Sequence, residues 1–180
     1  MKVRQTALPE VLLIEPTVHR DARGAFFESW NAREFERAGI NATFVQDNHS
    51  SSMHGVLRGM HYQIRQPQGK LIRVVRGEIF DAVIDIRRSS PAFGRWVGHL
   101  LSADNRRMLW APPGFAHGYL VLSDEAEVLY KTTDYYAPGH ERIIRWDDPE
   151  IAIQWPISSA PELSDRDSTG DYLKGADVFP

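Results

Sequence analysis

The sequence predicts an all-β protein built as a sandwich, a barrel or a jelly roll. Short runs of apolar or alternating residues recur along the chain, and each run is bounded by Gly, Pro, Asp or Asn, as strands joined by turns require. Many short strands at this spacing are typical of packed antiparallel sheets. With 180 residues, of which 42% are hydrophobic, the chain has the length of one domain with its own core. We therefore expect a single domain over residues 1–180.

The predicted strands follow these apolar runs. The longest run, 71–86, is expected to form two strands hinged near Gly77, with Asp81 and Asp85 on the face opposite Ile84. The other predicted strands span 95–101, 107–110, 118–122, 126–133 and 143–146.

One helix is predicted near the N-terminus. Asn31 is a suitable N-cap, Glu34 stands three residues later as in a capping box, and Gly39 suits the C-terminal end. Trp30 and Phe35 have the spacing of a hydrophobic staple, so we expect the helix to pack outside the sheets. The C-terminal stretch is expected to be irregular but anchored by Trp155, Leu163, Tyr172 and Phe179.

Composition and charge exclude several classes of function. The net charge of -3 gives no general basic field of the kind that nucleic-acid and anionic-membrane binders carry. The chain has no cysteine, which excludes disulfides, zinc–thiolate sites and thiol catalysis. The first ten residues lack the apolar segment of a signal peptide, and no window approaches the ~20 apolar residues of a membrane span. We expect a soluble cytoplasmic protein that binds neither nucleic acid nor membrane.

Residues with catalytic potential are concentrated in the segment 57–63 (LRGMHYQ) and at Lys70, shortly after it. The pattern is that of strands, whose alternate side chains can point together into a cavity. In an unbroken strand Arg58 and His61 would point to opposite faces, so we expect a bend or bulge near Gly59 if both serve one site. Taken alone, His61 is more often a structural histidine and Lys70 a solvated lysine.

A second motif, residues 112–118 (PPGFAHG), has the Pro-x-Gly-x-x-His spacing of the second cupin motif and resembles it. Cupins are double-stranded β-helix proteins whose first motif supplies a His-x-His pair and a glutamate as metal ligands. Here the corresponding place holds His61 followed by Tyr62 and Gln63, so a three-imidazole metal site cannot be assembled from this segment. The resemblance implies a cupin-type jelly roll with a few short peripheral helices and no metal.

Six segments carry a closer resemblance: 21–28 (DARGAFFE), 46–50 (QDNHS), 55–63 (GVLRGMHYQ), 69–70 (GK), 112–118 (PPGFAHG) and 163–167 (LSDRD). They occur in the order found in dTDP-4-dehydrorhamnose 3,5-epimerases and cover essentially the whole chain. The resemblance implies conversion of dTDP-4-dehydro-6-deoxy-D-glucose to dTDP-4-dehydro-L-rhamnose in dTDP-L-rhamnose biosynthesis. It also implies a homodimer that needs neither metal nor cofactor.

The resemblance also assigns residues to roles. Removing the hydrogen from C3 or C5 of a 4-keto sugar leaves an enolate whose charge lies largely on O4. The family pattern makes His61 the base, Asp167 its partner and Tyr130 the proton donor, while Lys70 places a cation beside O4. The substrate-binding positions that it implies are Arg23, Glu28, Gln46, Asp47, Asn48, Arg58, Lys70, His117, Tyr136, Glu141 and Arg166.

Three alternatives remain open at this point. Related enzymes epimerise only C3 or only C5 with the same catalytic residues. A metal cupin, such as an oxygenase or a sugar-phosphate isomerase, is disfavoured by the missing His-x-His pair. A non-catalytic jelly-roll module that binds nucleotide sugars would not need a base, a cation and a phenol together. The remaining histidines are expected to be structural or at the surface: His19, His49, His54, His99 and His140.

Overall fold

Thirteen strands and two short helices make up the fold in a computed structural model that describes residues 1–180. The strands are β1 (Lys2–Gln5), β2 (Leu12–Glu15), β3 (His19–Asp21), β4 (Gly24–Phe26), β5 (Gln46–Met53), β6 (Leu57–Gln63), β7 (Lys70–Arg76), β8 (Glu78–Asp85), β9 (Trp96–Ser102), β10 (Met108–Ala111), β11 (Phe115–Val121), β12 (Glu125–Thr132) and β13 (Glu141–Ile143). The helices are α1 (Ala32–Arg37), α2 (Asp165–Ser168) and a 3₁₀ turn at Pro138–His140. None of them has the length and apolar character needed to cross a membrane.

Two antiparallel sheets face each other as a jelly roll, which confirms the predicted fold class. The order of strands is β1-β2-β10-β7-β12-β5 in the first sheet and β13-β6-β11-β8-β9 in the second. Strands distant in the chain thus become neighbours, for example β7 and β12, or β6 and β11. Strands β3 and β4 form a separate hairpin.

The main core lies between the two sheets. Ile72 of β7 and Val128 of β12 meet Ile79 and Val83 of β8 there. This arrangement confirms the predicted alternation of β8, because Ile84 packs on the outer side in a second cluster. Each fully buried aliphatic side chain of this kind contributes about 1.5–3 kcal/mol. The interior is therefore apolar except for a polar layer near one end, which contains the candidate site.

The predicted helix is confirmed as α1. The Asn31 side chain caps it by accepting a hydrogen bond from the Glu34 amide at 3.4 Å. The Trp30 and Phe35 rings pack in a tilted arrangement with centroids 4.4 Å apart, and Phe35 packs with Leu71 on the outer face of the first sheet. The cap and the staple together explain why so short a helix has a defined position.

The C-terminal segment covers the outer face of the second sheet. Trp155 and Phe179 pack against it as expected, whereas Tyr172 is half exposed and the adjacent Leu173 is the buried anchor instead. The strand expected over 143–146 spans Glu141–Ile143, and Ile144 beyond it forms an isolated bridge with Asp171 while it still exchanges backbone hydrogen bonds with Met60.

Strand β6 contains the irregularity expected near Gly59. Its pairing with β11 shifts by one residue between Arg58 and His61, so that Gly59 and Met60 together face Gly118. Gly59 has a φ of 143°, a conformation that favours glycine, and the peptide bond to Met60 is cis. This bulge turns Arg58 and His61 to the same side of the strand and leaves Met60 in the outer cluster. The prediction of an irregular strand is confirmed.

Replacing Gly118 with alanine is expected to lower the free energy of unfolding by about 1–3 kcal/mol through overpacking. A Cβ there would lie 2.6 Å from Met60 Sδ, 2.7 Å from the Arg58 carbonyl oxygen and 2.9 Å from Gly59 Cα. Gly139→Ala is the matched control, because no atom lies within 4 Å of the Cβ it would add. Denaturant titration of both variants checks this, and equal midpoints would show that β6 and β11 are not closely packed.

Candidate active site

A cavity of about 280 Å³ opens between the two sheets at the polar end of the interior. Strands β5, β7 and β12 of the first sheet form one wall, and β6 of the second sheet forms the other. The lining residues are Gln46, Asn48, His61, Tyr62, Gln63, Gln68, Lys70, Tyr130, Tyr136 and Glu141. A titratable imidazole, a buried ammonium and a phenol therefore share one space.

His61 forms a hydrogen-bonded pair with Asp167. The Nε2–Oδ1 distance is 2.5 Å, and the carboxylate is held in turn by the Ser164 hydroxyl at 2.8 Å, at the N-cap of α2. Burial alone would raise the pKa of Asp167, but hydrogen bonds from His61, Ser164 and the Gly59 backbone lower it below its usual value. Because an ionised carboxylate only accepts, Nε2 carries the hydrogen and Nδ1 of His61 is left with a free lone pair.

Lys70 begins β7 and is almost fully buried, with 7% of its surface exposed. Its Nζ donates to the His61 carbonyl oxygen at 3.2 Å, which leaves the other ammonium hydrogens without a protein acceptor. Burial lowers the pKa of Lys70 to about 8, against the opposing attraction of the Asp81 carboxylate. An ammonium in this setting is available to an anionic or carbonyl oxygen in the cavity.

Tyr130 lies on β12, in the sheet that faces β6 and His61. Burial raises the pKa of Tyr130, and the nearby Tyr119 adds to this effect, while Arg58 opposes it. The phenol therefore keeps its proton at neutral pH, which is the state that a proton donor needs. An acid and a base stand on opposite walls of the same cavity.

The rim of the cavity contains a polar network built around Tyr136, whose side chain is about half exposed. Its hydroxyl donates to Glu141 at 3.1 Å and accepts from Arg166 at 3.0 Å, and Arg166 also pairs with Glu141. The Tyr136 amide donates to Gln46 at 3.0 Å, and Gln46 donates to Asn48 at 2.9 Å. The structure thus brings these five predicted residues together.

Two further predicted residues lie beside the cavity. Arg58 is held by a hydrogen bond from its Nε to Ser52 at 2.9 Å, and its charge acts on Tyr130. His117 is almost fully buried and donates from Nε2 to Asp81 at 2.8 Å. Neither side chain forms the lining itself.

Three predicted residues do not reach the cavity of their own chain. Arg23 lies in the β3–β4 hairpin, where it pairs with Asp21, and its side chain is 90% exposed. Glu28 follows the hairpin and is also exposed. Asp47 points to the outer face of the first sheet and pairs with Lys131 at 2.7 Å, because alternate residues of β5 face opposite ways.

Some residues that the structure brings to the site or beside it are not among the predicted site residues. Gln63 lies two positions after His61, so period-two alternation would have placed it on the same face. Gln68 lies in a loop, where no periodicity applies. Asp81 lies among apolar neighbours on the inner face of β8, and an acid in such a row is itself an indication of function. No group of three or more His, Cys, Asp or Glu side chains is arranged to hold a metal ion.

Comparisons with known proteins agree on one family. Residues 5–175 match the model of the family described as dTDP-4-dehydrorhamnose 3,5-epimerase. The chain is 59% identical to the dTDP-4-dehydrorhamnose 3,5-epimerase of Pseudomonas aeruginosa, over 100% of both chains. Its fold is similar to the Legionella pneumophila dTDP-6-deoxy-D-glucose-3,5-epimerase in complex with dTDP-4-keto-L-rhamnose, with a TM-score of 0.95, 48% identity and coverage of 98% and 94%.

A more distant likeness is to a 3'-monoepimerase from Streptomyces bikiniensis in complex with dTDP-quinovose. The TM-score is 0.89 and the identity 33%, over 94% of this chain and 87% of that one. The matches to the family model and to the Pseudomonas enzyme span nearly the whole sequence. The chain therefore belongs to the dTDP-4-dehydrorhamnose 3,5-epimerase family, whose members are isomerases.

Proposed function

We propose that the chain epimerises dTDP-4-dehydro-6-deoxy-D-glucose at C3 and C5 to dTDP-4-dehydro-L-rhamnose, in dTDP-L-rhamnose biosynthesis. The observation that carries the proposal is the His61–Asp167 pair in one cavity with the Lys70 ammonium and the Tyr130 phenol. The named relatives and the sugar nucleotide in the Legionella complex support the same reaction. Residues 1–180 form one epimerase domain in this proposal.

Each catalytic residue has one task in the proposed reaction. Nδ1 of His61 removes the proton from C3 or C5, and Asp167 stabilises the imidazolium that forms. Lys70 stabilises the negative charge that develops on O4, an interaction that strengthens toward the transition state. Tyr130 donates a proton to the carbon from the opposite side, which inverts it. The phenolate and the imidazolium then return to their starting states by proton exchange with solvent.

The cavity accounts for the sugar end of the substrate. Its volume of about 280 Å³ lies just below the range of about 300–1,000 Å³ for sites that enclose a whole ligand. The sugar therefore occupies the interior, and the nucleotide lies over the rim, where the exposed Tyr136 ring is available for stacking on the base. Arg58 offers a forked, permanently charged donor for the diphosphate.

A homodimer belongs to the same proposal. Arg23 and Glu28 lie outside the cavity of their own chain, on or beside a hairpin whose Phe26 is 70% exposed. In the dimer this hairpin would complete the cavity of the partner subunit. We also propose a cytoplasmic location and a reaction that needs neither metal nor cofactor, as the family resemblance implies.

Epimerisation at C3 alone is the second candidate. The observation that favours it is the likeness to the Streptomyces bikiniensis 3'-monoepimerase. The two candidates share their base and acid, and they differ in the carbons that exchange hydrogen with solvent.

Deuterium exchange distinguishes these candidates and tests the base. In D₂O the wild-type protein is expected to introduce deuterium from solvent at both C3 and C5 of dTDP-4-dehydro-6-deoxy-glucose, as read by NMR. His61→Ala is expected to lose exchange at both carbons, because the proposed base is removed. Tyr130→Phe is expected to keep exchange but lose inversion, since only the acid is removed.

His54→Ala is the matched control, because His54 is an exposed histidine bonded to the Leu122 carbonyl. Label at C3 alone would favour the monoepimerase, and no label with the wild-type protein would indicate a binding module. If His61→Ala exchanges deuterium at the same rate as the wild-type protein, the assignment of His61 as the base is overturned.

The kcat/KM of the wild-type protein is expected to fall as the pH rises through about 8, the pKa of Lys70 in the free protein. Below that pH the ammonium is charged and stabilises O4, and above it the neutral amine does not. Burial raises the pKa of Tyr130, so this phenol titrates at higher pH. Lys70→Met is expected to lower kcat by about 100-fold and to remove this loss near pH 8. A wild-type profile that stays flat to pH 9 would contradict this role of Lys70.

Mixed dimers test the contribution of the hairpin. Co-expression of an Arg23→Ala chain with a His61→Ala chain is expected to give about a quarter of the wild-type kcat/KM, since half of randomly paired dimers hold one intact site of two. Each variant alone is expected to be weaker than the mixture. If the kcat/KM of the mixture is only the average of the values for the two variants alone, Arg23 acts in the site of its own chain.

A further inference from the structure

Asp81 is the most unusual polar group in the interior of the protein. It lies in the middle of β8, points between the two sheets and is fully buried, with 0% of its surface exposed. Its neighbours on the same face of β8 are Ile79 and Val83. A carboxylate in such surroundings destabilises the fold unless hydrogen bonds and charges compensate it.

The hydrogen bonds within the protein compensate the buried carboxylate of Asp81 only in part. Oδ2 of Asp81 accepts a hydrogen bond from His117, but Oδ1 has no partner. The directly opposite residue on β9 is His99, whose Nε2 is the other buried side-chain atom without a partner. Burial lowers the pKa of His99, and the charge of Arg107 lowers it further, whereas the Asp81 carboxylate raises it. The net effect is a lowered pKa, so the ring is neutral at pH 7. His99 therefore does not balance the charge of Asp81.

A buried acid with a purely structural role looks different in the same strand. Asp85, at the end of β8, is equally buried, yet both of its oxygens are bound. Oδ1 accepts from the Arg87 backbone and guanidinium, at 3.0 and 2.9 Å, and Oδ2 accepts from the same guanidinium and from Ser90, both at 2.6 Å. The charge of Asp81 thus remains available to act on its surroundings.

The groups that remain for Asp81 to act on are Lys70 and His117, which lie in or beside the candidate site. Its carboxylate attracts the Lys70 ammonium, but no ion pair within 4.0 Å joins them. A direct pair would occupy the hydrogens of Nζ that O4 needs, whereas a charge at longer range stabilises the ammonium and leaves those donors free. His117, also bound to Asp81, stands opposite His61 across the β6–β11 pair, and its Nδ1 is free of protein hydrogen bonds.

The carboxylates that lie in or beside the cavity with Lys70 are otherwise already paired. Asp167 is bound to His61, and Glu141 is paired with Arg166. Burial raises the pKa of Tyr130, which also lines the cavity, so this phenol carries no charge at neutral pH. Asp81 is therefore the unneutralised anion of the site.

We propose that Asp81 is a positioning residue for the epimerisation: it supplies the buried negative charge against which the Lys70 ammonium is held, and it fixes the orientation of His117 beside the cavity. The proposal rests on the proposed function and extends it by one residue. Asp81 does not contact the substrate. It acts through Lys70 and His117, and its loss would leave a neutral amine where the developing charge on O4 requires a cation.

The test compares Asp81→Asn with Asp85→Asn, the equally buried acid of the same strand. The amide can still accept from His117, so Asp81→Asn removes the charge and keeps the shape. We expect Asp81→Asn to lower kcat by about 10- to 100-fold with KM changed by less than about threefold. The fall of kcat/KM at high pH is expected to begin at least about one pH unit lower than in the wild type. Asp85→Asn is expected to lower stability alone and to leave the pH profile in place.

A second readout does not depend on activity. NMR of protein labelled with ¹³C-lysine follows the titration of Lys70 at Cε, and the other lysines, Lys2, Lys131 and Lys174, serve as internal references. We expect the Lys70 midpoint to fall in Asp81→Asn and to return toward the wild-type value in Asp81→Glu, which restores the charge. Asp81→Ser, with a smaller polar group, replaces the amide variant if that variant does not fold.

If the titration midpoint of Lys70 is the same in Asp81→Asn as in the wild type, the proposal is overturned. The same holds if the pH dependence of activity in Asp81→Asn is unchanged. Inactivity of the wild-type protein on the 4-keto sugar nucleotide would instead refute the proposed function, and the lysine titration would still measure the effect of Asp81 on Lys70. A lower melting temperature with the wild-type pH profile would indicate a structural role alone.

Discussion

The close contact between β6 and β11 is the constraint on which the site depends. Two residues of β6, Gly59 and Met60, stand opposite a single residue of β11, Gly118. A Cβ built on Gly59 would lie 2.5 Å from Gly118 Cα. The extra residue turns His61 and Arg58 to one side of a strand that would otherwise send them to opposite faces. The Gly59 backbone also helps to lower the pKa of Asp167, so the bulge that positions the imidazole also acts on the carboxylate bound to it.

The two-sheet architecture explains why an acid and a base can approach one carbon from opposite sides. His61 belongs to the second sheet, and Lys70 and Tyr130 belong to the first. Facing sheets are about 10 Å apart, which leaves room for a sugar ring between side chains from both. Because both walls are hydrogen-bonded sheets with a shared apolar core, the separation of acid and base is set by the fold. A site on flexible loops would not maintain it.

Much of this fold could be predicted from local patterns. The alternation along β8, the cap at Asn31 and the need for a bulge at Gly59 all follow from the sequence. Strand β5 could not be predicted, because its polar residues carry no apolar alternation and it is recognised only through pairing with β12. The pairing of His61 with Asp167 depends on a contact 106 residues apart in the chain, so spacing alone cannot reveal it. The family resemblance supplied that pair.

The polar interior also shows how stability and chemistry are balanced in this fold. Asp148 is a buried acid whose carboxylate accepts backbone hydrogen bonds from Glu150, Ile151 and Leu173. These hydrogen bonds hold the surrounding loops in place. Asp81 accepts only one hydrogen bond, from the His117 side chain, and its other oxygen is free among apolar neighbours, an arrangement that packing alone would disfavour. A charge that stabilises the fold so poorly persists for another reason. That reason is Lys70. This buried ammonium needs a counter-charge but must keep its hydrogens free for the substrate.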